Sequence, residues 1–175
     1  GNIDNLVYAV MNAFYIACSS FVGQNFGAGK AERVRKSYLL TLGYSAFVAG
    51  FFGMLFLLFG REFLSLFTSE SAVIDAGLER IRIMCFVFPL SALMDDTTAA
   101  ARGIGKGLVP MIFVFLGSCV FRVIWIYTVF AYFHTISSLY LLYPFSWIIT
   151  GAAEIFYFLY SYKKIVVPLG ASRKA

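Results

Sequence analysis

Four ionisable residues stand inside long apolar runs: Asp95, Asp96, Arg122 and Glu154. A charge at lipid depth costs about 2.5–3.5 kcal/mol on insertion scales unless it is paired or hydrated. The chemistry open to such groups is ion pairing, or the binding and exchange of a proton or small cation. Asp95 lies seven residues before Arg102, Glu154 eight before Tyr162, and Arg122 eleven after Met111. At about 1.5 Å per helical residue these depths are roughly 10, 12 and 16 Å. The spacing therefore predicts a buried polar cluster of three acids against one base. Asp95 and Asp96 are neighbours, about 100° apart around a helix, and cannot both face one partner. Three readings stay open, the last being charges that snorkel or face a missing partner. Arg122 neutralises one carboxylate and locks helices together, or Asp95 or Glu154 titrates in a hydrated cavity that takes H+ or a cation.

Other chemistry finds little support. Cys18, Cys85 and Cys119 are dispersed in apolar runs, which suits small buried residues and not a disulfide framework or a metal site. His134 has no ligand partners nearby. Gly103-x-Gly105-x-Gly107 follows no strand, so it is not read as a nucleotide loop. No HExxH, Ser–His or Ser–Lys arrangement is present. No catalytic residue, metal site or resident cofactor is expected; a coupling Na+ or H+ is the one ion implied. Tyr143, Phe145 and Trp147 are aromatic faces that a flat lipophilic cation could contact.

The elements that must position these groups follow from composition. The 175 residues are 61% apolar and 13% charged, with a mean hydropathy of +0.82. So few charges cannot cover a water-facing surface, which excludes a soluble globular enzyme and a disordered chain. The net charge of +5 sits in short breaks between apolar runs, not in a stripe for nucleic acid. We read an all-α polytopic membrane protein with five transmembrane helices, at about residues 3–23, 38–59, 81–101, 111–133 and 139–162. Each is about the 20 residues a bilayer needs. Val73, Ile74, Leu78 and Ile81 recur at helical spacing around Asp75 and Glu79, predicting an amphipathic surface helix over about 68–80. Pro89 and Pro144 are expected to kink the third and fifth spans. The start without Met, close to an apolar run, reads as a fragment or processed piece.

Lysine and arginine set the orientation. Lys30, Arg33, Arg35, Lys36, Arg102, Lys106, Lys163, Lys164, Arg173 and Lys174 fall on one side; Arg61, Arg80 and Arg82 fall on the other. Ten against three places the C-terminus in the cytoplasm of a multi-pass plasma (inner) membrane protein.

The string from Gly23 to Lys30, GQNFGAGK, followed by Glu32-Arg33, resembles a junction signature of the multidrug and toxic compound extrusion (MATE) family. Ala101-Arg102-Gly103-Ile104-Gly105 with Pro110-Met111 is similar to that family's junction between its tenth and eleventh helices. Gly117 to Trp125 and Tyr143-Pro144-x-x-Trp147 resemble the eleventh helix and the start of the twelfth in bacterial members. The resemblance runs in order along residues 1–175. It implies most of the C-terminal six-helix lobe of a twelve-helix transporter, minus its first helix, with the N-terminal lobe as partner. It also implies export of organic cations, drugs or toxic metabolites against H+ or Na+ by alternating access. The expected site is a cation or substrate cavity around Asp95, Asp96, Arg122, Glu154, Tyr143 and Trp147, in contact with membrane lipids and with no nucleic-acid partner. The alternatives are a lipid-linked saccharide flippase of the same superfamily, which three acids to one base disfavours, and a non-transporting five-helix membrane module.

Overall fold

The computed structural model describes residues 2–172, and only the backbone of Asn2, Ile3, Asp4, Leu6, Ile136 and Ser137. The side chains that begin the first expected span, and Arg173 and Lys174 of the basic tail, lie outside the described residues. The described chain is all-α: α1 (Asn2–Gly27), α2 (Ala31–Ser65), α3 (Ser71–Met84), α4 (Phe88–Gly103), α5 (Leu108–Phe133) and α6 (Ser138–Ser172).

Five membrane-crossing helices are not found. Among the described residues three helices are long and apolar enough to cross a membrane: α2, α5 and α6. Two expected spans fail for different reasons. In α1, the apolar run opens among residues whose side chains lie outside the described ones, Leu6 included, and the part from Val7 is left short, with Asn12, Gln24 and Asn25 in it. The run at 81–101 is not one helix. It breaks in a turn at Cys85–Val87, and α4 restarts with Pro89 in its first turn. Proline is well tolerated there, because its missing N–H would be unpaired anyway. The sixteen residues of α4 reach only about 24 Å, short of a roughly 30 Å hydrocarbon core. Pro144 likewise falls in a first helical turn, just after the turn at Leu141, and not at a mid-helix kink.

The short polar helix is the central one. α4 packs against α1, α2 and the middle of α6 and buries Phe88, Ala92, Met94, Asp96, Thr97 and Ala99 to Ala101. Interrupted or polar backbone is tolerated at membrane depth where protein surrounds it. Two apolar clusters hold α4 along its length. One gathers Met11, Phe56, Met84, Phe88 and Ala92; the other gathers Cys18, Val22, Val34, Tyr38, Ala99, Ala100 and Phe158. The outer faces of α2, α5 and α6 instead expose Phe47, Leu58, Phe115, Tyr127 and Phe156, as lipid-facing surfaces would.

α1 and α4 end in the same way. Gly29 and Gly105 take φ of +69° and +74°. The next amide reaches back five residues, Lys30 to the Asn25 carbonyl at 2.9 Å and Lys106 to the Ala101 carbonyl at 2.8 Å. This is the Schellman closure, which favours glycine at the left-handed position. Both turns are spelled Gly-x-Gly-Lys, Gly27 to Lys30 and Gly103 to Lys106. α2 runs straight into a distortion at Phe59 (φ −117°, ψ 17°) before ending at Ser65. α5 and α6 contain single π turns, at Leu116–Val120 and Ile126–Phe130, and at Tyr162–Val166. α3 lays Ile74, Ile81 and Met84 inward and leaves Asp75 and Glu79 exposed.

Candidate functional site

The two adjacent aspartates of α4 have separate surroundings. Asp96 is buried, and its Oδ2 accepts a hydrogen bond from the Ser45 hydroxyl of α2. The turn around it is tied down further. Cys18 Sγ of α1 donates to the Asp96 backbone carbonyl at 3.4 Å. Tyr38 OH lies 2.9 Å from Thr97 Oγ1, and that threonine donates to the Leu93 carbonyl at 2.7 Å. The Thr97 proton being used, the tyrosine is the donor of this pair.

Asp95, one residue earlier, is half-buried and opens on two cavities. One, of about 350 Å³, is lined by Tyr8, Met11, Arg80, Phe88, Ser91, Asp95, Tyr143 and Trp147 among others. The second, of about 390 Å³, is lined by Asn12, Tyr15, Asp95, Thr98 and Arg102, and shares Tyr8 and Met11 with the first. No hydrogen bond or ion pair engages the Asp95 side chain among the described residues. A carboxylate flanked by apolar and aromatic walls with a few polar groups is the usual make-up of a small-molecule site.

Glu154 of α6 is fully buried. Thr98 Oγ1 donates to its Oε1 at 2.8 Å, while Oε2 has no hydrogen-bond partner. One turn earlier, Thr150 is also buried with its hydroxyl oxygen unpartnered. One turn before that, Ser146 donates to the Gly117 carbonyl of α5 at 2.8 Å. Arg122 stands apart from all three acids. Its guanidinium lies over the Tyr143 ring, 4.7 Å from the centroid, and its Nε is buried without a partner. The ion pairs Lys36–Glu32 and Arg61–Asp75 are both exposed and involve none of these groups. Tyr143 meets Trp147 edge-on at 5.8 Å. Trp125 stacks on Phe145 at 5.2 Å, which directs Phe145 to α5 and not to the cavities.

The structure thus brings Asp95, Tyr143 and Trp147 to one cavity and links Arg122 to it through the Tyr143 ring. Glu154 sits behind Thr98, which lines the second cavity. Asp96 belongs to the packing of α2 on α4. Sequence reasoning missed Ser45, Tyr38 and Thr97, as well as Tyr8, Asn12 and Tyr15 on the cavity wall. One signal was available: Ser146, Thr150 and Glu154 recur every fourth residue, one polar stripe on an otherwise apolar helix. Ser45 carries no comparable signal, since a single serine in an apolar run is unremarkable.

The MatE family pattern matches residues 1–128. A probable multidrug resistance protein NorM from Thermotoga maritima is 26% identical over 119 residues, covering 66% of this chain and 25% of that protein. A solved structure described as the inward-facing conformation of a multidrug resistance MATE family transporter of the MOP superfamily superposes with a TM-score of 0.75 at 20% identity. It covers 96% of this chain and 38% of that one. At that identity the likeness is one of fold. The chain spans about a quarter of the length of the curated relative it matches.

Proposed function

The chain belongs to the MatE family, and from that premise we propose that it is part of a secondary active antiporter. That protein exports organic cations, drugs or toxic metabolites in exchange for H+ or Na+ by alternating access. The observation that carries the reading is the Asp95 carboxylate, unpartnered between two cavities and facing Tyr8, Tyr143 and Trp147. A carboxylate attracts cations, and aromatic faces add cation–π attraction for lipophilic ones. An acid of this kind can hold the coupling ion or the substrate in turn.

In this reading the chain is most of a C-terminal lobe. The N-terminal lobe faces the cavities around Asp95, and the lysine- and arginine-rich ends place the C-terminus in the cytoplasm. The junction strings Gly23 to Lys30 and Ala101 to Gly105 support that placement, and the charge asymmetry supports the orientation.

The test is efflux of a cationic dye from cells expressing the full-length protein. Asp95→Asn is expected to lower efflux about tenfold, equivalent to roughly 1.4 kcal/mol, with expression unchanged. Efflux and ion dependence equal to wild type would remove Asp95 from the mechanism. Binding of a lipid-linked pyrophosphate in place of the dye would turn the reading toward a flippase.

A further inference from the structure

Glu154 presents a problem that the Asp95 cavities do not address. It has no exposure at all, and no basic side chain pairs with it among the described residues. A carboxylate enclosed in this way is costly as an isolated anion, unless a cation or a proton accompanies it. Thr98 satisfies Oε1, so the unmet hydrogen-bonding capacity is local to Oε2. The Thr150 oxygen, also buried and unpartnered one turn earlier, lies instead against Gly117 of α5. A buried carboxylate oxygen without a partner, on a group held by the Thr98 hydroxyl, is one to which a proton or a hard monovalent cation binds. Thr98 also lines the cavity that Asp95 opens on, which gives the buried acid a route to that space.

We propose that Glu154 and Thr98 form an inner site for a small monovalent cation, H+ or Na+, set behind the Asp95 cavity and loaded through Thr98. The ionisable groups whose charge reaches Glu154 are Asp95 on α4, Tyr15 on α1 and Tyr38 on α2. From α5, no ionisable group is in hydrogen-bond or ion-pair contact with it among the described residues. Of these Asp95 is the acid, while Arg102 lines the second cavity beside Thr98. Asp95 and Glu154 repel one another when both are anionic, so loading either site changes the affinity of the other. This deepens the exporter reading and rests on it only for the purpose of the site.

The experiment is infrared difference spectroscopy of the purified full-length protein in lipid, with Na+ added at fixed pH and with pH raised in Na+-free buffer. In wild type a protonated-carboxyl band is expected to bleach under one or both treatments. Bleaching by Na+ identifies exchange of H+ for Na+, and bleaching by pH alone identifies a proton site. The band should vanish in Glu154→Gln, persist in Asp95→Asn, and shift in Thr98→Val, which loses the hydrogen bond to Oε1. An unresponsive wild-type band overturns the inference, as does a band unchanged in Glu154→Gln. If Glu154→Gln does not fold, Thr98→Val decides, and an unshifted band there also overturns it. Wild-type protein that shows the band response but no dye efflux would sink the exporter reading and leave the cation site standing.

Discussion

The Ser45 hydroxyl of α2 donates to the Asp96 carboxylate of α4, and this bond assigns different roles to two adjacent acids. Asp96 is turned into the α2–α4 interface, leaving Asp95 to face the cavities. A buried carboxylate deprived of its donor retains its full desolvation cost. Ser45→Ala should therefore destabilise the protein by about 1–3 kcal/mol. Thermal unfolding of the full-length protein in detergent would show this as a lower midpoint. Asp95→Ala, made at a half-buried and unpartnered group, should move the midpoint less. Equal shifts for the two would mean that the Ser45–Asp96 bond does not hold the interface.

The pair Arg61–Asp75 makes the opposite case. It joins the end of α2 to α3 at 2.9 Å, but its side chains are 56% and 65% exposed. Exposed ion pairs contribute under about 1 kcal/mol and are screened by salt. Asp75→Asn should leave the unfolding midpoint within error of wild type at moderate salt. A shift as large as that of Ser45→Ala would show α3 to be clamped by charge and not by Ile74, Ile81 and Met84.

The two Gly-x-Gly-Lys closures give a prediction free of packing effects. Gly105 has φ +74°, and a Cβ built on it meets no atom within 4 Å. Any cost of Gly105→Ala is then torsional, roughly 1–2 kcal/mol for an L-residue in the left-handed region. Asparagine tolerates that region better than β-branched residues. The expected order of unfolding midpoints is wild type, then Gly105→Asn, then Gly105→Val. If Gly105→Val unfolds no earlier than Gly105→Asn, the left-handed closure is not what ends α4.

Much of this architecture was legible because hydropathy is a long-range average. The apolar runs that became α2, α5 and α6 stand out over about 20 residues whatever the packing. The same averaging misread 81–101. It joined the end of α3 to α4 across Cys85–Val87, because a turn made of apolar residues leaves no polar mark. The four ionisable residues within apolar runs were found for the same reason, since charges are rare in such runs. Their partners were not. Arg122 turned to the face of Tyr143 and not to an acid, a choice made by where α5 crosses α6. Ser45 and Asp96 are 51 residues apart, and nothing local ties their registers together.

Arg122 and Tyr143 supply the last prediction. The guanidinium sits 4.7 Å from the ring centroid, and the same ring lines the cavity beside Asp95 and touches Trp147. An arginine over an aromatic face gains about 0.5–1 kcal/mol when exposed and about 2 when desolvated. Here the buried, unpartnered Nε puts the contact toward the larger figure. Tyr143→Phe keeps the ring and loses only a hydroxyl, so stability and dye affinity should stay close to wild type. Tyr143→Leu keeps apolar bulk but removes the π face, and should lower the unfolding midpoint and weaken dye binding together. In an Arg122→Gln background, Tyr143→Leu should cost less stability, because the cation that used the ring is gone. A double-mutant cycle over these two positions isolates that coupling. A coupling of zero would mean that Arg122 rests on Tyr143 by packing alone, and that the arginine has no electrostatic hold on the cavity wall.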